Sequence, residues 1–215
     1  MSLPLHHDPQ GRKPHAIQPL PGQLGFGLAR GRVHEFCGPA RLTLAALTLA
    51  LSEGPVLWIT PSWLPERLYS GGLAEFVAPG RLIFVRPRRP EDVLWAMEEA
   101  LRSGAVPMVL ADLPEPPLLT PTRRLHLAAE AGAAQALSSG GGLPPLGLLL
   151  TPDIGGAQGV ESRWHLAPAP SGSTLQDHRA AWVMQRLRAR LAPPGRWRLE
   201  LQPQAQAIAT PLTVS

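Results

Sequence analysis

Short apolar runs alternate along the chain with segments in which apolar residues recur at helical spacing. Strands are predicted at residues 33–37, 56–60, 82–85, 106–111 and 146–151. Continuous apolar runs of this length are typical of parallel strands covered on both faces. Helices are predicted between the strands at residues 40–52, 65–76, 91–102 and 120–137. This alternation indicates an α/β fold with an open, mostly parallel sheet and helices on both faces.

The clearest helix follows Pro90, which suits the first helical position because its fixed φ is already helical. Glu91 and Asp92 stand in the first turn, where a carboxylate complements the helix dipole. Apolar residues at helical spacing then form one face, which we expect to pack on the sheet: Val93, Leu94, Met97 and Leu101.

After Pro152 the pattern changes. Strands are predicted at residues 163–166 and 196–201, each with one Trp, and a helix is predicted at 175–191; the tail after residue 202 shows no clear pattern. We therefore divide the chain into a flexible N-terminal arm (1–31), a core (32–171) and a basic C-terminal extension with a helix, a strand and a tail (172–215).

Charge is distributed unevenly along the chain. Residues 1–160 carry 13 basic and 13 acidic side chains, whereas residues 161–215 carry 7 and 3, so the formal net charge of +4 lies in the last quarter. Of the 20 basic residues, Lys13 is the one lysine. GC-rich codon usage explains the arginine excess; selection for guanidinium forks that bind carboxylate or phosphate is the functional alternative.

The cellular setting is predicted from what the sequence lacks. Cys37 is the single cysteine, which excludes an internal disulfide and fits a reducing compartment; at the end of a strand it is expected to be a small buried side chain. No apolar stretch is long enough to span a membrane, and the first residues do not resemble a secretory signal. A cytoplasmic protein is expected.

Candidate chemistry is expected where the parallel strands end, because ligands of open α/β sheets bind there. A phosphate-binding loop needs several glycines, a Lys and a hydroxyl. The segment from Gly38 to Thr43 has one glycine and no Lys, and Thr43 is interpreted as an ordinary helix residue. Asp112 ends a buried strand, where it either binds magnesium or, as we favour, caps the strand end.

The remaining polar residues show no recognised catalytic spacing. His126 is interpreted as structural, and His6, His7 and His15 lie in the arm, which cannot fix a metal geometry. Arginines at positions 86, 88 and 89 form a basic group after a strand, either a solvated loop or an anion contact. No catalytic, cofactor-binding or metal-binding residue is therefore predicted.

Five segments resemble the ImuA family, whose members are related to RecA. They read EFCGP, VLWI, RPRRPEDVLWAMEEALRSGAVPMVLADL, RRLHLAAEAG and RWHLAPAPS; the resemblance covers about residues 32–171 and is most specific at 86–137, which includes Arg123 and Arg124. It implies a RecA-like core. In RecA-type proteins a Gly-rich loop with Lys and Thr follows the first strand, but here Arg41 stands near the place of the Lys.

Two further comparisons with RecA-type sites follow from the resemblance. Where those proteins carry a catalytic Glu after the second strand, this chain has Thr60, Pro61 and Ser62, and Asp112 alone matches a nucleotide-site position. The nucleotide loop is thus expected to be degenerate, and no ATPase activity is expected.

The family implies a noncatalytic accessory role in SOS-induced, error-prone translesion DNA synthesis. The implied partners are a Y-family polymerase-like protein (ImuB-like) and an error-prone replicative polymerase; RecA is a further candidate, DNA contact is expected to be weak, and no membrane is involved. Two alternatives remain open. One is a cell-division inhibitor similar to SulA, and the other is a divergent RecA-like ATPase.

Arginines of the C-terminal extension are the candidate partner-binding residues. A protein partner is favoured over DNA because the net charge is small and few aromatic residues are available for base stacking. The candidates are Arg179, Arg186, Arg190, Arg196 and Arg198, the first three on one face of the predicted helix. The core is expected to fold without residues 175–201.

Overall fold

The computed structural model describes residues 17–20, 27–64, 69–140, 142–170, 180–202 and 206–212. Its strands are β1 (Ile17–Pro19), β2 (Gly27–Ala29), β3 (Val33–Cys37), β4 (Val56–Ile59), β5 (Leu82–Val85), β6 (Met108–Asp112), β7 (Leu146–Thr151), β8 (Ser162–Ala169), β9 (Ala181–Ala189), β10 (Gly195–Gln202) and β11 (Gln206–Pro211). Its α-helices are α1 (Arg41–Ala50), α2 (Ser70–Ala74), α3 (Pro90–Ser103) and α4 (Leu119–Ser138).

One nine-stranded sheet forms the centre of the molecule, in the order β11-β10-β9-β8-β3-β7-β6-β4-β5. The strands from β8 to β5 run parallel to one another, and β9, β10 and β11 continue the sheet antiparallel. Every residue of β3, β6 and β7 is buried, as expected for central parallel strands. The predicted open, mostly parallel α/β sheet is confirmed.

Each face of the sheet has its own hydrophobic core. On one face α1 and α2 pack Leu44, Leu49 and Leu73 against the sheet. On the other face α3 and α4 pack Met97 and Leu125 against it. Helices therefore cover both faces, and the sequence prediction is confirmed in this respect.

Helix α3 buries the face that its sequence predicts. Val93, Met97 and Leu101 are buried and Leu94 is partly buried against the same core. The helix ends at Gly104, which has a φ of 65°. Next to this end α4 passes so closely that a Cβ on Gly132 would lie 1.9 Å from the carbonyl oxygen of Leu101. The glycine in α4 is thus required by the contact between the two helices.

The predicted helix at 175–191 is wrong for the part that the structure describes, because residues 181–189 form β9. Arg163 pairs with Arg188 and Trp164 with Arg186, so that Leu187 is bulged out of the ladder. The bulge breaks the two-residue alternation that identifies a strand, and Arg186 occupies an inward position where an apolar residue is expected. These two departures made the segment resemble a helix.

The ends of the chain also differ from expectation. Within the predicted flexible arm, β1 and β2 form an antiparallel pair, and Leu20 and Leu28 are buried in the core. Beyond residue 171, β9 and β10 contribute Met184 and Leu199 to that same core, and the tail forms β11 at the sheet edge. No described helix is long and apolar enough to cross a membrane.

Candidate functional site

The connection from β3 to α1 stands where a phosphate-binding loop is expected, and β8 lies directly against it. Gly38 has a φ of 94°, and a Cβ at this position would be 2.5 Å from the carbonyl oxygen of Leu166 and 2.7 Å from Nε2 of His165. The amide of Ala40 donates to the same Leu166 oxygen at 3.1 Å. The main chain of β8 therefore occupies the space beside the loop, and the Ala40 amide is engaged within the protein.

Asp112, at the end of β6, faces a positive side chain of this chain. Nη2 of Arg41, the first residue of α1, lies 3.6 Å from Oδ1 of Asp112, and both side chains are largely buried. The carboxylate of Asp112 is thus engaged in an ion pair within the chain. A carboxylate neutralised by a guanidinium attracts a divalent cation less than a free carboxylate does.

The end of β4, where RecA-type proteins carry a catalytic Glu, is closed by backbone hydrogen bonds. The amide of Thr60 donates to Val85 at 2.9 Å, and the amide of Ser62 donates to Pro87 at 2.9 Å. The side chains that follow β4 are hydroxyls and a proline ring, none of which is a strong base at neutral pH. The residues present do not fit the water-activating part of an ATPase site.

Glu35 is a buried polar centre that the sequence analysis missed. Its Oε1 accepts hydrogen bonds from Oγ1 of Thr151 at 2.7 Å and from the amides of Gly156 and Ala157 at 2.9 and 3.0 Å, while Arg163 donates to Oε2. The carboxylate holds the loop after β7 against the sheet. A lone acid in the middle of a buried strand was the available sequence signal, since a buried charge requires partners.

Two other polar residues of β3 are also buried. Burial raises the pKa of the Cys37 thiol to about 12, and the expectation of a small buried side chain is confirmed. His34 is held by Oγ of Ser162 at 2.6 Å and by the carbonyl oxygen of Ala29 at 3.0 Å. Burial lowers the pKa of His34 to about 3, so the ring is neutral.

Among the predicted partner-binding residues, Arg186 is buried. Its guanidinium lies 5.5 Å from the ring centroid of Trp164 and 5.3 Å from that of Trp197, and its Nε donates to the carbonyl oxygen of Pro193 at 2.7 Å. Arg186 therefore stabilises the packing of β8, β9 and β10, and only 8% of the residue is exposed.

Of the other predicted arginines, Arg196 and Arg198 lie two residues apart on β10, and Arg190 follows the end of β9. Arg190 and Arg196 are exposed, the former 3.9 Å from Glu161, whereas Arg198 is bonded to Glu200 at 2.8 Å. Arg179 lies outside the described residues. The predicted common face on a helix does not exist, because the segment carrying Arg186 is a strand.

A polar pocket of about 680 Å³ lies between α4, the end of the loop after β7 and the end of β9. Arg123 of α4 and Arg188 of β9 both line it. Nε2 of His126 donates a hydrogen bond to the carbonyl oxygen of Gly159 on its wall, at 3.1 Å. Burial and the nearby Arg32 lower the pKa of His126 to about 4, so this ring is neutral as well. Arg123 and Arg188 are far apart along the chain, so no local sequence pattern connects them.

Metal binding has no support in the described part of the chain. There, no group of three or more His, Cys, Asp or Glu side chains is arranged to hold a metal ion. The histidines at positions 6, 7 and 15 lie outside the described residues.

These features define a RecA-like α/β protein whose nucleotide loop is degenerate. Protein ImuA of Caulobacter vibrioides is 34% identical to the chain over 203 residues, in strain NA1000 / CB15N and in strain ATCC 19089 / CIP 103742 / CB 15. The alignment covers 83% of this chain and 78% of the relative. The chain therefore belongs to the ImuA family. No family model matches it.

Proposed function

We propose that the chain is a noncatalytic accessory protein of SOS-induced, error-prone translesion DNA synthesis. It acts by binding a Y-family polymerase-like protein, and through it an error-prone replicative polymerase; RecA is a further candidate partner. Membership of the ImuA family supports a role in SOS mutagenesis.

One observation carries the noncatalytic part of the proposal, namely that β8 packs against the β3–α1 connection. Phosphoryl transfer depends on backbone amides, a cation and Mg²⁺ that together position and neutralise the phosphates. Here the carbonyl oxygen of Leu166 accepts a hydrogen bond from the amide of Ala40, and Arg41 forms an ion pair with Asp112. Strand β8 fills the space beside Gly38. The Ala40 amide, the Asp112 carboxylate and the space beside Gly38 are thus all used within the protein, which supports the absence of phosphoryl transfer.

ATP turnover by the purified protein tests this point. We expect no magnesium-dependent release of phosphate above that of a buffer blank. The matched control is Asp112→Ala, because a contaminating ATPase is indifferent to this substitution. Turnover that the wild-type protein shows and Asp112→Ala abolishes would establish the divergent-ATPase alternative.

Partner binding is tested with a Y-family polymerase-like protein of the same genome, which the proposal expects to be encoded beside this gene. Purified full-length chains are mixed, and their association is measured by calorimetry and by size-exclusion chromatography. We expect a stable complex that weakens with rising salt, because charged side chains steer the encounter. Absence of a complex, or of such a gene from the neighbourhood, would contradict the proposed function.

Of the arginines in the C-terminal extension, Arg190 and Arg196 remain suitable for contact with an acidic partner because both are exposed. Arg186 is not included, since its guanidinium is stacked on two tryptophans. DNA contact is expected to be weak and strongly dependent on salt, because a handful of arginines neutralises few phosphates.

A further inference from the structure

The pocket between α4 and the end of β9 combines free positive charge with exposed apolar surface. Its volume of about 680 Å³ is in the range of ligand sites in proteins. None of the described residues forms an ion pair or a hydrogen bond with the guanidinium of Arg123 or of Arg188. Both groups are exposed, and both are available to a ligand.

The bulge in β9 brings Arg188 to this pocket. Because Leu187 is left out of the ladder, Arg186 pairs with Trp164 on one face of the sheet, and Arg188 pairs with Arg163 on the other. The second face is the one covered by α4, which carries Arg123. Without the bulge, alternation would point Arg188 toward the same face as Arg186.

The remaining charges in the pocket are already paired within the protein. Arg32 forms an ion pair with Glu130 and lies 3.7 Å from Glu161, which is also 3.9 Å from Arg190. His126 is neutral because its pKa is lowered to about 4. The unbalanced charge of the pocket is therefore positive and comes from Arg123 and Arg188, so the complementary ligand is an anion.

Apolar side chains lie beside these two arginines. Leu127 of α4 is 65% exposed, and Leu119, at the start of the same helix, is 37% exposed; both line the pocket. A ligand that covers them needs an apolar group next to its anionic group. A peptide segment in which acidic and aliphatic residues are neighbours has this combination, and guanidinium forks bind carboxylates in two-point geometry.

Nucleic acid fits the pocket less well than such a peptide does. The lining contains no Trp, Tyr or Phe side chain on which a base could stack, and the ring of His126 is held by the carbonyl oxygen of Gly159. Two free arginines at one point also do not form the basic track that a nucleic-acid backbone follows.

We infer that the pocket formed by Arg123, Arg188 and Leu127 binds an acidic, aliphatic segment of the protein partner. This inference rests on the proposed function for the existence of a partner, and it adds the site and the chemistry of the contact. Carboxylates of the segment pair with the two guanidinium groups, and an aliphatic side chain covers Leu127.

The test is a charge-reversal pair in the full-length chain, Arg123→Glu with Arg188→Glu, measured for association with the Y-family polymerase-like protein. Both residues are exposed and unpaired in the described structure, so the fold should tolerate the changes. We expect the Kd to rise by about tenfold to a hundredfold. The milder pair Arg123→Gln with Arg188→Gln should raise it less, and melting curves verify that each variant is folded.

Two matched controls separate the pocket from general effects. The first control is the pair Arg86→Glu with Arg88→Glu, which makes the same charge change next to β5, at the far edge of the sheet. Because salt screens exposed charges over such a distance, the Kd should stay within about twofold of the wild-type value. Leu127→Ser should weaken association by about threefold to tenfold, whereas Leu137→Ser, on the same helix and 59% exposed, should not.

Three results would overturn the inference. The first is an unchanged Kd for the charge-reversed pocket while the wild-type protein binds its partner, a result that leaves the proposed function intact. The second is an equal loss in the Arg86 and Arg88 control, which would indicate net charge alone. The third is a charge-reversed pocket that binds the partner normally but loses affinity for a single-stranded oligothymidine probe. This result would assign the pocket to nucleic acid. If the wild-type protein does not bind the partner, the proposed function fails as well.

Discussion

The guanidinium of Arg186 lies over the indole ring of Trp197, with its central carbon 5.3 Å from the ring centroid. Trp164 contacts the same guanidinium at 5.5 Å, and the two indole centroids are 5.8 Å apart. Burial lowers the pKa of Arg186. An arginine that the sequence places in a basic surface segment is thus part of the core that joins β8, β9 and β10.

Arg186→Lys is expected to destabilise the fold by about 1–2 kcal/mol. Lysine retains the charge but loses the planar stacking on two rings and the fixed Nε bond to Pro193. Chemical denaturation measures the change. Arg188→Lys, two residues away and exposed, is the matched control and should change the free energy of unfolding by less than about 0.5 kcal/mol. Equal effects of the two substitutions would contradict the stacking role.

Strands β4 to β7 of the parallel part were predictable because they are nearly continuous apolar runs with helical patterns between them. Helix α3 was especially clear, since Pro90 marks its start and one face is apolar. The antiparallel part was not, because the bulge at Leu187 and the inward Arg186 depend on neighbouring strands that are distant in sequence. Local patterns carry no information about such neighbours.

Met97→Asp should prevent folding or leave the protein insoluble. Met97 is fully buried in the core that α3 forms with the sheet, and an unpaired carboxylate there costs several kcal/mol. Trp95→Asp is the matched control on the same helix, because Trp95 is 59% exposed, and it should remain folded. A Met97→Asp protein that melts cooperatively like the wild type would show that the helix packs by a different face.

Glu35→Gln should lower the free energy of unfolding by about 3–5 kcal/mol, because it leaves the largely buried guanidinium of Arg163 without its counter-charge. Hydrogen exchange at the amides of Gly156 and Ala157 should accelerate as the loop after β7 loosens. Glu99→Gln, whose ion pair with Arg102 is half exposed, should have an effect below about 1 kcal/mol. Unchanged exchange at the two amides would contradict the anchoring role of Glu35.

For the candidate site, the sequence predicted only that a phosphate-binding loop is absent. The short segment from Gly38 to Thr43 indicates a lost phosphate loop. The structure shows in addition that β8 lies against this segment, which requires a glycine at position 38 because a Cβ there would collide with the carbonyl oxygen of Leu166. The pocket of Arg123 and Arg188 was not predictable. Those two residues are brought together by the sheet order and by the strand bulge, neither of which a local pattern specifies.

Stability should fall as the pH is lowered from about 6.5, because His34 is neutral in the fold. Its pKa is about 3 in the folded protein and 6.5 in the unfolded chain, so the unfolded chain binds more protons between these values. The titration of His34 alone should lower the free energy of unfolding by about 1.5–2 kcal/mol between pH 6.5 and about pH 5.

Denaturation at several pH values measures this slope, and His34→Gln should flatten it. Ser162→Ala is the control, because it removes the hydrogen bond to His34 but keeps the titrating ring, and its stability should be lower with the slope retained. A His34→Gln protein with the wild-type slope would assign the pH dependence to other groups.

Truncation after Ser171 should yield a protein that does not fold cooperatively, contrary to the sequence-based expectation that the core survives without residues 175–201. The truncation removes β9, β10 and β11, and with them the buried side chains of Met184, Trp197 and Leu199. At about 1.5–3 kcal/mol for each buried side chain, this loss is comparable with the whole stability of an ordinary domain. Strand β8 would also become an edge with Trp164 exposed to water.

Removal of residues 213–215 is the matched control, since β11 ends at Pro211, and it should leave the melting temperature unchanged. Near-ultraviolet circular dichroism follows the tryptophan packing in both proteins. A fragment 1–171 that melts cooperatively would show that the parallel core is independent of the antiparallel strands, and it would return the C-terminal extension to a purely binding role.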